Sequence, residues 1–74
     1  MEQKIFSIVT TVLGIKINHV PEDFGYGSIP EWDSVAHISI ISAIVENFPE
    51  KNFSAEKLVE LATYNQLVDY TVSY

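Results

Sequence analysis

Apolar positions recur at helical spacing in four stretches of the chain. Over residues 3–13, Ile5, Phe6, Ile8, Val9, Val12 and Leu13 fall on one side of a helix, with Gln3, Lys4, Ser7, Thr10 and Thr11 on the other. Gly14 follows, suited to the left-handed conformation that ends a helix. A second helix is predicted over 34–48, with Asp33 as its cap and Phe48-Pro49 as its end. Ser54 is placed to cap a short third helix over 55–62, turning Leu58, Leu61 and Ala62 inward. Thr63 and Gln66 have capping-box spacing and open a fourth helix over 64–73, with Leu67, Val68, Thr71 and Tyr74 as its stripe. Pro21, Gly25, Gly27 and Pro30 deny residues 15–32 a regular element. Because Ile15, Ile17, Val20, Phe24, Tyr26, Ile29 and Trp32 lie in that loop, it is expected to pack over the core by its own side chains. The prediction is an all-α domain spanning 1–74, with three main helices, one short helix and a long first loop.

The second helix is too apolar for one core-facing stripe. With Val35 at the origin of a helical wheel, Ala36, Ile38, Ile40, Ile41, Ala43, Ile44, Val45 and Phe48 span about 80° to 300°, roughly twice the arc a core face needs. Ile40, Ile41, Ile44 and Phe48 make the core centre. Ile38 and Val45 form a flank that continues toward Val35. Left bare, that edge is a partner surface; the alternative is that the long loop covers it.

Composition narrows the function. Nearly half the residues, 47%, are apolar, which excludes a disordered chain. Ten carboxylates against four lysines and no arginine leave a net charge of −6, the wrong sign for a nucleic-acid partner or an anionic membrane surface. There is no cysteine, so disulfides and thiolate metal sites are excluded. The stretch Met1-Glu2-Gln3-Lys4 before the apolar run to Ile15 faintly resembles a signal peptide, but Ser7, Thr10 and Thr11 interrupt the run and no small-x-small site follows. No stretch approaches the ~20 apolar residues of a membrane span. The expected compartment is the cytosol, and the expected state a monomer.

Candidate chemistry collects at the start of the second helix. Ser34 opens it just after Asp33, where free amides and the positive dipole end favour a phosphate; taken alone, the serine reads first as an ordinary helix-opening residue that helps cap the helix. His37 lies one turn on, inside the apolar arc, either contacting a group carried there or satisfied at the edge of the core. Asp33, Ser34 and His37 contain the letters of a catalytic triad, but adjacent Asp and Ser leave no group to orient the base from behind, so the chain is not expected to be an enzyme. His19, Glu22 and Asp23 lack a recognised metal-ligand spacing. Trp32 is expected to anchor the loop against the second helix. Tyr26, Tyr64, Tyr70 and Tyr74 suit the edge of the core, and Glu2, Glu56 and Glu60 suit solvated faces.

Trp32-Asp33-Ser34-Val35 at a helix start resembles the Asp-Ser-Leu signature of acyl carrier proteins. The resemblance extends over nearly the whole chain: first helix, long loop, signature, a helix ending in Phe48, a short helix, then the Thr63-Tyr64 step into a last helix with Tyr70. It implies a four-helix bundle whose serine, here Ser34, carries 4′-phosphopantetheine. A phosphopantetheinyl transferase would install the arm from coenzyme A with magnesium, with Asp33 beside the metal-bound pyrophosphate. The arm's thiol would hold an acyl or aminoacyl group as a thioester for loading and transferring enzymes. Val35 stands where the family usually has leucine, and the Gly-Gly-His-Ser pattern of peptidyl carriers is absent. Past its cap the second helix has one carboxylate, Glu46, where many members have several. The expectation is therefore a dedicated pathway whose partners dock on Val35, Ile38 and Val45, with Glu46 secondary. The competing function is an unmodified small helical protein-interaction module using the same edge.

Overall fold

The computed structural model describes residues 2–73, and among them the chain forms four helices and no strand. Tyr74, the expected end of the last apolar stripe, lies outside the described residues.

Helix α1, Glu2–Leu13, buries Ile5, Val9 and Leu13, a stripe repeating every four residues. It ends at Gly14, whose φ of +69° is the left-handed value a glycine adopts without strain. There the Gly14 N–H donates to the Thr11 carbonyl and the Ile15 N–H to the Thr10 carbonyl, both at 3.2 Å, the paired closure of a helix end. Helix α2, Ser34–Asn47, buries Ile40, Ile41 and Ile44, and Phe48 closes it. Lys4 reaches the Asn47 carbonyl at 3.4 Å and stands 5.1 Å over the Phe48 ring. These contacts tie the start of α1 to the end of α2, so the two helices pack with opposed directions.

Beyond Phe48 the chain makes a 3₁₀ turn, Pro49–Lys51, that the helical pattern does not announce. Proline opens it, and Asn52 reverses the chain with φ +56°. Helix α3, Ala55–Glu60, starts at Ser54, whose hydroxyl accepts from the Lys57 N–H. It stops two residues short of the expected 62, because the backbone there belongs to the loop. Thr63 bridges Gly25; the Tyr26 N–H donates to the Ala62 carbonyl at 2.7 Å and the Tyr64 N–H to the Phe24 carbonyl at 2.9 Å. Leu61 is accordingly extended, and Ala62 is exposed rather than inward. A Cβ at Gly25 would lie 2.5 Å from the Ala62 carbonyl oxygen, so only glycine permits this approach.

Helix α4, Tyr64–Ser73, opens with the expected capping box: the Gln66 N–H donates to Thr63 Oγ1 at 3.1 Å and the Thr63 N–H to Gln66 Oε1 at 3.2 Å. Leu67 and Thr71 are buried and Val68 half-buried. The loop packs as its composition predicts. Phe24 is buried between Trp32, with ring centroids 5.1 Å apart, and Tyr64, at 5.8 Å.

Candidate functional site

The start of α2 is exposed because the bridge to Thr63 draws the loop to one flank of the helix and leaves the other bare. Ser34 itself is exposed. Asp33 precedes it in extended conformation, and its Oδ1 accepts from the Ala36 N–H at 2.9 Å. Its carbonyl takes the His37 N–H, also at 2.9 Å. The amides of Ser34 and Val35 keep no partner among the described residues, so the positive end of the helix is open beside the serine hydroxyl. Ser34, Val35, Ile38 and Ser39 line a shallow depression of about 330 Å³ that opens to solvent.

His37 takes the structural role. It is 2% exposed, and both ring nitrogens are engaged. Trp32 Nε1–H donates to His37 Nδ1 at 3.0 Å; an indole can only donate, so Nδ1 carries no proton. Nε2 then bears the hydrogen and donates to the Val59 carbonyl at 3.1 Å. One buried imidazole thus joins the loop, α2 and α3. It keeps no nitrogen for a carried group, which replaces the expectation of an arm contact. Tyr26 lies over the same ring, 5.2 Å between centroids, and remains half exposed. Neither Tyr26 nor the Val59 carbonyl was legible as part of this region, since both meet His37 only through tertiary packing. Trp32, fully buried, is the loop anchor that its position predicts.

The expected docking edge divides. Val35 is 74% exposed and Ile38 52%, so the loop does not cover them. Val45 is half-buried against the core, on the half of α2 past which the Phe48–Phe53 turn folds back, so it is no part of a bare edge. Glu46 is exposed but lies with Val45, three turns from Ser34.

Elsewhere, His19, Glu22 and Asp23 are exposed, and the His19 ring pairs with the neighbouring Asn18 side chain at 3.0 Å. Tyr64 is buried more deeply than an edge residue, at 1% exposure, and its hydroxyl has no hydrogen-bond partner among the described residues. Burial, and secondarily the Glu2 carboxylate, push its phenol up to about 12. No helix among the described residues is long and apolar enough to cross a membrane. No family model, curated protein or solved structure matches the chain.

Proposed function

We propose that the chain is a carrier protein that holds acyl or aminoacyl intermediates as thioesters on a 4′-phosphopantetheine arm attached to Ser34. A single observation supports this most: Ser34 is exposed at the open amino end of a 14-residue helix, directly after the capping Asp33. The residues fit the group. The Ser34 and Val35 amides, unpartnered among the described residues, and the helix dipole would stabilise the phosphodiester, and Ser34 is exposed.

Attachment forms a bond from Ser34 Oγ to the phosphorus nearer the pantetheine and breaks the pyrophosphate link of coenzyme A. Adenosine 3′,5′-bisphosphate leaves, and the hydroxyl proton passes to a base of the transferase. That enzyme supplies base and magnesium, because His37 is buried and committed to Trp32 and Val59. Asp33 would face the metal-bound pyrophosphate with the carboxylate oxygen not used for capping. The chain itself catalyses nothing; the arm does the chemistry and the protein presents it to cytosolic loading and transferring enzymes.

Coexpression with a promiscuous phosphopantetheinyl transferase tests this. The intact mass should rise by one phosphopantetheinyl group, and Ser34→Ala should abolish the gain. No gain in the wild type would favour the unmodified interaction module; a gain that persists in Ser34→Ala would place the arm elsewhere.

A further inference from the structure

We infer that His37 is an acid-sensitive clasp: a second proton on its ring breaks the bond to Trp32 and frees residues 27–32 of the loop from α2. The clasp is independent of the carrier function proposed above and holds whether or not Ser34 bears an arm.

The loop is held in two parts. Residues 24–26 are fixed through backbone, by the Tyr26 N–H on the Ala62 carbonyl and the Tyr64 N–H on the Phe24 carbonyl. Protonation of a side chain touches neither bond. Over residues 27–32 the backbone bonds stay inside the loop: the Gly27 N–H donates to the Trp32 carbonyl at 2.9 Å and the Trp32 N–H to the Ile29 carbonyl at 3.1 Å. The hydrogen bond that carries this part to α2 runs from Trp32 Nε1–H to His37 Nδ1.

That bond needs a neutral imidazole. Nδ1 accepts from an indole that can only donate, while Nε2–H is committed to the Val59 carbonyl at 3.1 Å. A further proton has only Nδ1 to go to, where it would meet the indole N–H donor to donor across 3.0 Å. The rings must then part. The surroundings offer the cation little in exchange. His37 is 2% exposed and lies in the first turn of α2, at the positive end of the helix dipole. From the loop, the Tyr26 phenol ring stacks on it, and Glu31 is exposed. Asp33, one turn earlier, is exposed and caps the Ala36 N–H. On α3, Glu56, Lys57 and Glu60 are exposed. Among the described residues, no carboxylate bonds the imidazole.

An unfolded chain accepts the same proton without losing a bond. The unfolded state therefore takes up more protons as pH falls through the usual histidine value of about 6.5, and stability drops there. Histidine is the side chain that ordinarily changes charge between pH 5 and 8, and the chain has two. The other, His19, is exposed and pairs with Asn18, so it serves as an internal reference.

The test follows the full chain from pH 7.5 to 5.5 by Trp32 emission, by the NMR signals of the Trp32 indole N–H and both imidazoles, and by denaturant titration. In the wild type the emission should shift to the red, and the indole signal should move with that of His37 rather than that of His19. The unfolding equilibrium constant should rise by up to about tenfold per pH unit below about 6.5, the slope of one proton taken up on unfolding. His19→Gln should keep this dependence. His37→Gln, which retains an acceptor and a donor but cannot titrate, should lose it. Trp32 signals unmoved at pH 5.5, whether or not the His37 ring has taken its proton, would overturn the clasp, and that result needs no variant. A pH dependence equal in the wild type and His37→Gln, or one lost in His19→Gln, would also overturn it.

Discussion

The two halves of α2 have the same apolar character and opposite fates. From Ile40 to Phe48 the helix buries Ile40, Ile41, Ile44 and Phe48, because α1 crosses it and the chain folds back beyond Phe48. From Ser34 to Ser39 only His37 is buried, and Val35 and Ile38 face solvent. Burying either of those side chains would be worth about 1.5–3 kcal/mol. The chain forgoes this on one flank while spending a satisfied imidazole on holding the other. Apolar periodicity identifies a helix, but the neighbours decide which of its apolar residues become core.

The largest expected effect separates the halves directly. Ile44→Ala should cost about 2–5 kcal/mol of unfolding free energy in denaturant titration, as expected for a fully buried isoleucine. Ile38→Ala should stay within about 0.5 kcal/mol of wild type, as an exposed substitution does. Similar losses for the two would place Ile38 in the core and erase the distinction between the halves.

His37→Leu should come next. It fills a similar space but leaves Trp32 Nε1–H buried without a partner, at about 1–3 kcal/mol, and frees the part-buried Val59 carbonyl. Fluorescence of Trp32, the sole tryptophan, should shift to the red in the variant as the loop loosens. A stable variant with an unshifted spectrum would show that the imidazole is dispensable to this flank.

Asp33 tests the boundary between structure and chemistry. Asp33→Ala should cost about 1 kcal/mol as a lost cap, while Asp33→Asn should cost only a few tenths. Asp33→Asn should nevertheless slow transfer of the arm. Modification at the wild-type rate would reduce Asp33 to a cap.

The smallest effect lies away from α2. The Tyr64 hydroxyl is buried without a partner among the described residues, so Tyr64→Phe should match or slightly exceed wild-type stability at neutral pH. The folded phenol is raised from 10.0 to about 12, so it stays protonated where the unfolded one ionises. Unfolding is then favoured as pH climbs through that interval, and stability present below pH 10 is lost as 12 is approached. Tyr64→Phe should lose less over the same range in alkaline melts, and equal slopes would show that the phenol ionises freely in the fold.

Helix identity was legible wherever the local signal was complete: Gly14 as a left-handed terminus, Asp33 as a cap, Thr63 with Gln66 as a capping box. Each is settled within a few residues of itself. The end of α3 was not, because the Ala62 carbonyl is claimed by Tyr26, a residue 36 positions away whose approach depends on glycine at 25. The 3₁₀ turn was hidden for a related reason, since Pro49 marks where a helix stops but not how the chain then turns. Within the candidate region, Ser34 and Asp33 could be singled out by position, and the width of the apolar arc pointed to a bare edge. Which residues form that edge depended on tertiary cover: Val45 is half-buried against the core, whereas Val35 and Ile38 stay exposed.

The most direct measurement is fragmentation mass spectrometry of the intact protein after exposure to coenzyme A, magnesium and a promiscuous transferase. The expected result is one phosphopantetheinyl group located at Ser34, with the neighbouring α2 serines, Ser39 and Ser42, unmodified. An unmodified chain, or a group located on Ser39, Ser42 or any other serine, would contradict the account.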